Sequence, residues 1–161
     1  MKNIFRLFLL LSFILCSKHQ LIGQWVQTNG PYGGRVLCFG FSYSKLFAGT
    51  YGGGLFRSVD GGENWTESNA GLTNPYIRAF AVSGKALFVG TFGGGLFRSV
   101  DDGENWTESN AGLTNLMIRA LMVSGSNIFA GTYNGGIFRS VDGGENWAAV
   151  NSGLTNLPFG Q

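Results

Sequence analysis

Ser99-Val100-Asp101-Asp102-Gly103-Glu104-Asn105-Trp106 folds a whole hairpin turn into eight residues, and the chain writes that turn three times. The other two copies are Ser58-Val59-Asp60-Gly61-Gly62-Glu63-Asn64-Trp65 and Ser140-Val141-Asp142-Gly143-Gly144-Glu145-Asn146-Trp147. Each position has a physical task. A short aspartate side chain bonds readily to nearby backbone amides and so favours turns over regular ladders. Glycine supplies a positive φ at no steric cost, and the tryptophan carries a large apolar ring back onto the packed strands. The pattern therefore predicts that Asp60, Asp101 and Asp142 accept hydrogen bonds from backbone N–H groups of their own turns. It also predicts that Trp65, Trp106 and Trp147 are largely buried.

The surroundings of the turn repeat as well. Trp25, Trp65, Trp106 and Trp147 are spaced by 40, 41 and 41 residues. A period near 40 fits a propeller blade or a helical pair. Each unit is rich in Gly, Thr, Phe, Val and Ser and has only short apolar runs, so it is built from strands. Within the middle unit four strands are expected: A from Ile77 to Val82, B from Ala86 to Gly90, C from Gly95 to Val100 and D from Trp106 to Asn110. Four antiparallel strands per repeat make a blade that must bury its faces against neighbouring blades. The fold class expected is all-β: an incomplete β-propeller of three four-stranded antiparallel blades, over about 35–70, 76–111 and 117–152. Trp25-Val26-Gln27-Thr28 would be an orphan N-terminal strand D. If the C–D hairpins pair symmetrically, Arg57 faces Glu67 and Arg98 faces Glu108, while Arg139 faces Ala149 and loses that partner.

The three hairpins match S-x-D-x-G-x-x-W: Ser58, Asp60, Gly62 and Trp65, then Ser99, Asp101, Gly103 and Trp106, then Ser140, Asp142, Gly144 and Trp147. This resembles the Asp box of bacterial neuraminidase repeats. The same box occurs in sialidases, sortilin-type receptor domains, xyloglucan-cleaving hydrolases and photosystem-assembly-factor-like proteins. Phe47-Ala48-Gly49-Thr50 through Ser58 looks most like secreted bacterial repeat proteins of unknown role. The resemblance implies the fold and a structural box facing away from any active site. It implies no activity.

Export is the expectation at the N-terminus. Lys2 and Arg6 precede an apolar run from Leu7 to Cys16, and cleavage is expected near Gly23, giving a signal peptide over 1–23 and a propeller segment over 24–161. Cys16 offers a lipid-attachment alternative, against which stands the bulky Leu15. The run is too short to span a bilayer, so no membrane span is expected. Beyond the leader eight basic residues face nine acidic ones, with no basic stripe for a nucleic acid. Cys38 is expected as a small core residue without a disulfide partner.

The acids bear most directly on catalysis. All nine (Asp60, Glu63, Glu67, Asp101, Asp102, Glu104, Glu108, Asp142 and Glu145) fall in C–D hairpins or the D strands after them. A glycosidase needs two carboxylates converging on its ligand face, and the only histidine, His19, lies in the leader. No catalytic residue, metal site or cofactor is therefore expected. Ligand contacts are expected instead from Tyr51, Phe92 and Tyr133 in the B–C loops, rimmed by Asn69, Asn110 and Asn151. Arg35, Arg78 and Arg119, each at the start of a strand A, would join them. The reading is a secreted non-enzymatic module binding a protein or glycan. The alternative is a fragment of a sialidase-like or other glycan-active hydrolase whose catalytic blades are missing. The open blade faces would also favour self-association.

Overall fold

The computed structural model of the chain describes residue 27 and residues 29–154. The expected leader over 1–23 and, apart from Gln27, the expected N-terminal strand lie outside the described residues. Twelve strands form three four-stranded antiparallel sheets, an open and incomplete propeller. Blade one comprises β1 (Val36–Ser42), β2 (Lys45–Thr50), β3 (Leu55–Ser58) and β4 (Thr66–Glu67). Blade two comprises β5 (Ile77–Ser83), β6 (Ala86–Thr91), β7 (Leu96–Ser99) and β8 (Thr107–Glu108). Blade three comprises β9 (Ile118–Ser124), β10 (Asn127–Thr132), β11 (Gly136–Ser140) and β12 (Ala148–Ala149). Among the described residues no helix is long and apolar enough to cross a membrane.

The core lies between blades. Phe47 and Leu55 of blade one meet Ile77, Leu87, Val89, Phe97 and Trp106 of blade two in one buried cluster. Phe88 and Leu96 meet Ile118, Ile128, Phe138 and Trp147 in the next. Burying rings such as Phe47 and Phe88, both fully enclosed, is the main driving force for stacking one sheet on another. Cys38 packs on the edge of the first cluster, and burial pushes its thiol up to about 11.

Each C–D hairpin is a closed hydrogen-bonded loop. In the middle copy the Ser99 hydroxyl donates to Asp101 Oδ1 at 2.8 Å and accepts the Gly103 N–H at 2.9 Å. Asp101 also accepts the Asn105 backbone N–H at 2.9 Å and its side-chain amide at 2.8 Å. The outer copies repeat this with Asp60–Asn64 and Asp142–Asn146. Donation by the asparagine backbone, then by its side chain and by the serine, holds the three aspartates at about 2 against an ordinary 3.8.

The same hairpins clamp the blade before them. The Trp106 N–H bonds to Ala70 O at 2.8 Å, and Ser68 Oγ donates to Gly103 O at 2.5 Å while accepting the Trp106 indole N–H at 3.4 Å. Trp147, Ala111, Ser109 and Gly144 repeat the set one blade on. Trp106 and Trp147 are accordingly buried, at 3% and 4% exposure. Trp65 is only half-buried and turns its indole N–H onto Gly62 O of its own hairpin, 3.0 Å away. No four-stranded blade precedes it among the described residues.

The arginine pairing differs from expectation. Register sets Arg57 against Thr66 and Arg98 against Thr107, one residue short of the glutamates, and Arg139 against Ala148. In antiparallel sheets a one-residue shift moves a side chain to the other face. The guanidinium of Arg57 therefore reaches Glu104 of the following hairpin, and Arg98 reaches Glu145 at 3.4 Å. Lys45 adds a third bond of this kind to Asp102, at 3.0 Å. These pairs tie blade to blade, each contributing at most about 1 kcal/mol at such exposure.

Two expectations can be measured. A Cβ on Gly112, at φ +87°, would lie 2.1 Å from the Trp147 carbonyl oxygen, whereas one on Gly143, at φ +72°, meets nothing within 4 Å. In blade two Asp102 takes the position of Gly143, with φ 64°. Gly112→Ala should thus cost clearly more than the ~1–2 kcal/mol of a left-handed residue alone, and Gly143→Asp much less, as read by urea unfolding. Acid should also act through the hairpins. Their depressed carboxyl groups contribute stability that is complete above about pH 3.8 and lost as pH falls through about 2. Melting temperature should fall across that window, and the D60N/D101N/D142N variant should show a shallower fall.

Candidate functional site

The antiparallel order of each blade places its B–C loop and its D-to-A crossover on one edge and its A–B corner and C–D hairpin on the other. The B–C loop is fastened to the crossover entering the next blade. Gly52 and Gly54 donate to Pro75 O, and Gly93 and Gly95 donate to Leu116 O. Tyr51 bridges to Tyr76 and Phe92 to Met117. Asn74 accepts the Tyr76 N–H, and Asn115 accepts the Met117 N–H while donating to Tyr133 O at 2.9 Å. The ring that begins each loop is held by the chain that starts the following strand A.

Strand A then bends at once. Ile77 pairs with Thr91 and Ala79 with Gly90, leaving Arg78 as the extra residue of a β-bulge. Arg119 occupies the same bulge between Ile118 and Ala120. Bulges re-aim side chains and are common beside functional sites. In blade one the bulge residue is Leu37, between Val36 and Cys38. Arg35 therefore does not match the other two arginines in register, as the sequence had suggested. It stands where blades two and three carry Tyr76 and Met117.

The six residues expected to contact ligand nevertheless converge in one alternating row. The Arg35 guanidinium lies 5.9 Å from the centre of the Tyr51 ring. Arg78 lies 5.5 Å from Tyr51 and 5.3 Å from Phe92. Arg119 lies 5.4 Å from Phe92 and 4.6 Å from Tyr133. All five distances are within cation–π range. Tyr51 and Tyr133 are 48% and 45% exposed, and Phe92 is half-buried, so the rings form a surface ridge above the core. Tyr76 joins the row beside Tyr51, ring centres 4.9 Å apart.

Charge is segregated across the blades. The nine acids lie on the hairpins and on β4 and β8, and among the described residues none forms an ion pair with Arg35, Arg78 or Arg119. Nor, among the described residues, do three or more His, Cys, Asp or Glu side chains gather closely enough to hold a metal. Arg78 Nε is buried with no hydrogen-bond partner.

The asparagine rim is not available to a ligand in the expected way. Asn69, Asn110 and Asn151 each spend their side-chain oxygen on a strand C amide, of Leu55, Leu96 and Ile137, at 2.7–2.8 Å. They fix the B–C loops from behind. Asn74 and Asn115, which position the rings, carry no motif beyond their place two residues before the crossover ends. Beside them a cleft of about 250 Å³ opens between Gly52–Gly54 and Asn69–Pro75.

A family model described as the DUF6242 beta propeller domain matches residues 25–161. Among solved structures, YCF48 from Cyanidioschyzon merolae superposes with a TM-score of 0.62 at 23% identity, covering 78% of this chain and 39% of YCF48. YCF48 bound to D1 peptide gives 0.62 at 21%, covering 77% of this chain and 42% of that one. An ancestral GH74 enzyme gives 0.60 at 21%, covering 72% and 18%. The chain spans about two fifths of the length of the YCF48 structures and less of the enzyme. No curated protein matches it by sequence.

Proposed function

The chain belongs to the DUF6242 β-propeller domain family, and we propose that it acts there as a non-enzymatic module binding an extended segment of a partner protein. The observation that carries this reading is the continuous row of Arg35, Tyr51, Arg78, Phe92, Arg119 and Tyr133 across three blades. A line of exposed rings and guanidiniums on a rigid sheet edge offers large contact area at small ordering cost, the composition of binding hot spots. Ring faces already covered by guanidiniums are poor platforms for stacking sugars, which favours peptide over glycan. That YCF48 is solved bound to D1 peptide supports the same ligand class.

In this reading the C–D hairpins are Asp boxes of the bacterial neuraminidase repeat type, structural turns on the edge away from the row. Residues 1–23 are an export signal, so the partner is met outside the cytoplasm. The likeness to a GH74 enzyme favours a second reading, a piece of a glycan-active hydrolase. In that reading the catalytic carboxylates belong to other blades, since the described residues place none on this edge.

Selection of a displayed random-peptide library on the folded chain tests the proposal. It should enrich peptides that are released by the Y51A/F92A/Y133A variant, while thermal unfolding of that variant moves little. No enrichment, or peptides held equally by the variant, would overturn the proposal. Unfolding of the variant would show the rings to be lids of the core.

A further inference from the structure

Resting on that reading, we infer that Arg78 and Arg119 are two preformed clamps for carboxylates, and that the recognised segment is an acidic peptide carrying at least two of them. Each guanidinium lies between two rings, Arg78 between Tyr51 and Phe92, Arg119 between Phe92 and Tyr133. Stacking uses the face of a guanidinium and leaves its in-plane N–H groups uncommitted by the rings. Those donors form the planar fork that matches a carboxylate with two parallel hydrogen bonds.

The donors are also free to do so. No hydrogen bond from either guanidinium to another described residue accompanies the stacking, and the Arg78 Nε is both buried and unpartnered. Arg57 and Arg98 also bury an Nε without a partner, but their terminal nitrogens are committed to Glu104 and Glu145. Two arginines of one repeat thus have separate destinies: one neutralised within the protein, one held open by aromatic rings. An incoming carboxylate would give the uncommitted terminal N–H groups of each guanidinium their partner. Arg35 has a described ring on one side only and is a weaker third position.

Holding each fork in a fixed plane distinguishes this from a generally positive surface. Lysine in its place keeps the charge and loses the paired geometry. Because Arg78 and Arg119 occupy equivalent bulges of adjacent blades, their clamps repeat with the blade step. A ligand engaging both gains from linkage between its two carboxylates.

The test uses a fluorescent peptide of alternating glutamate and serine, its glutamine counterpart, and a version with a single glutamate. Anisotropy should show binding of the first, weakened by added salt. The glutamine and single-glutamate peptides should bind at least about tenfold more weakly. Arg78→Lys and Arg119→Lys should each weaken the glutamate peptide by about tenfold with melting temperature unchanged, whereas Lys85→Ala on the opposite edge should have no effect. Equal binding of the glutamine peptide, or affinity retained in the lysine variants, would overturn the clamps while leaving library-selected peptides, and so the binding module, standing. Tighter binding of an oligogalacturonate than of the peptide would overturn the peptide as ligand. If neither probe binds, the clamps are wrong whatever the library selects.

Discussion

Blades one and two each depend on the hairpin of the blade that follows. The Ser-Asp-Gly loop stiffens the turn, and the stiffened turn presents a glycine carbonyl, a tryptophan and a glutamate to the previous sheet. Gly103 illustrates how tight the fit is. A Cβ there would approach Phe47 of blade one to 2.9 Å and Ser68 Oγ to 3.1 Å. Turn geometry, inter-blade hydrogen bonds and apolar burial are thus one constraint, and the arc has the stability of its joints more than of its sheets. The two-residue strands β8 and β12 lie beside Trp106 and Trp147, whose amides are fixed to Ala70 and Ala111.

That constraint also shapes the edge that carries the row of rings and guanidiniums. The crossover running from one joint to the next strand A passes directly under the B–C loop of the previous blade, and its Pro75 and Leu116 carbonyls take the loop's amides. Loop and strand start therefore come from different blades but move as one piece. Alternation of ring and guanidinium follows from the topology, since Tyr51 and Phe92 each have the start of their own strand A on one side and that of the next blade on the other. Such a row is pre-organised, with little side-chain freedom left to lose.

Much of this was legible in the sequence, and the exceptions have physical causes. The period of the tryptophans and the Gly-rich turns were enough for four strands per unit, because apolar runs of that length cannot form helices. The three rings of the row were picked out from their loop position and the three arginines from their place at the start of a strand A. What escaped depended on single-residue register. Counting across the hairpin put Arg57 opposite Glu67, where the turn in fact sets it against Thr66 and sends it to the next blade. The bulges at Leu37, Arg78 and Arg119 leave no periodic trace, so Arg35 was aligned with residues it does not match. Trp65 shares the sequence of Trp106 but not its burial, because burial here is supplied by a neighbouring blade. Asn69, Asn110 and Asn151 look like surface amides and are loop anchors, a distinction that only a bonded partner reveals.

Native-state hydrogen exchange at the Trp106 and Trp147 amides addresses the joint most directly. Both N–H groups bond across to the preceding blade, and both side chains are buried there. If the joints hold the arc together, these amides exchange only through global unfolding, with the same free energy as strand amides of β6 and its neighbours, while the exposed tip amides of Gly61 and Gly143 exchange freely. Exchange of the Trp106 amide as fast as that of the hairpin tips, with β6 still protected, would mean that blades open independently and would contradict the account.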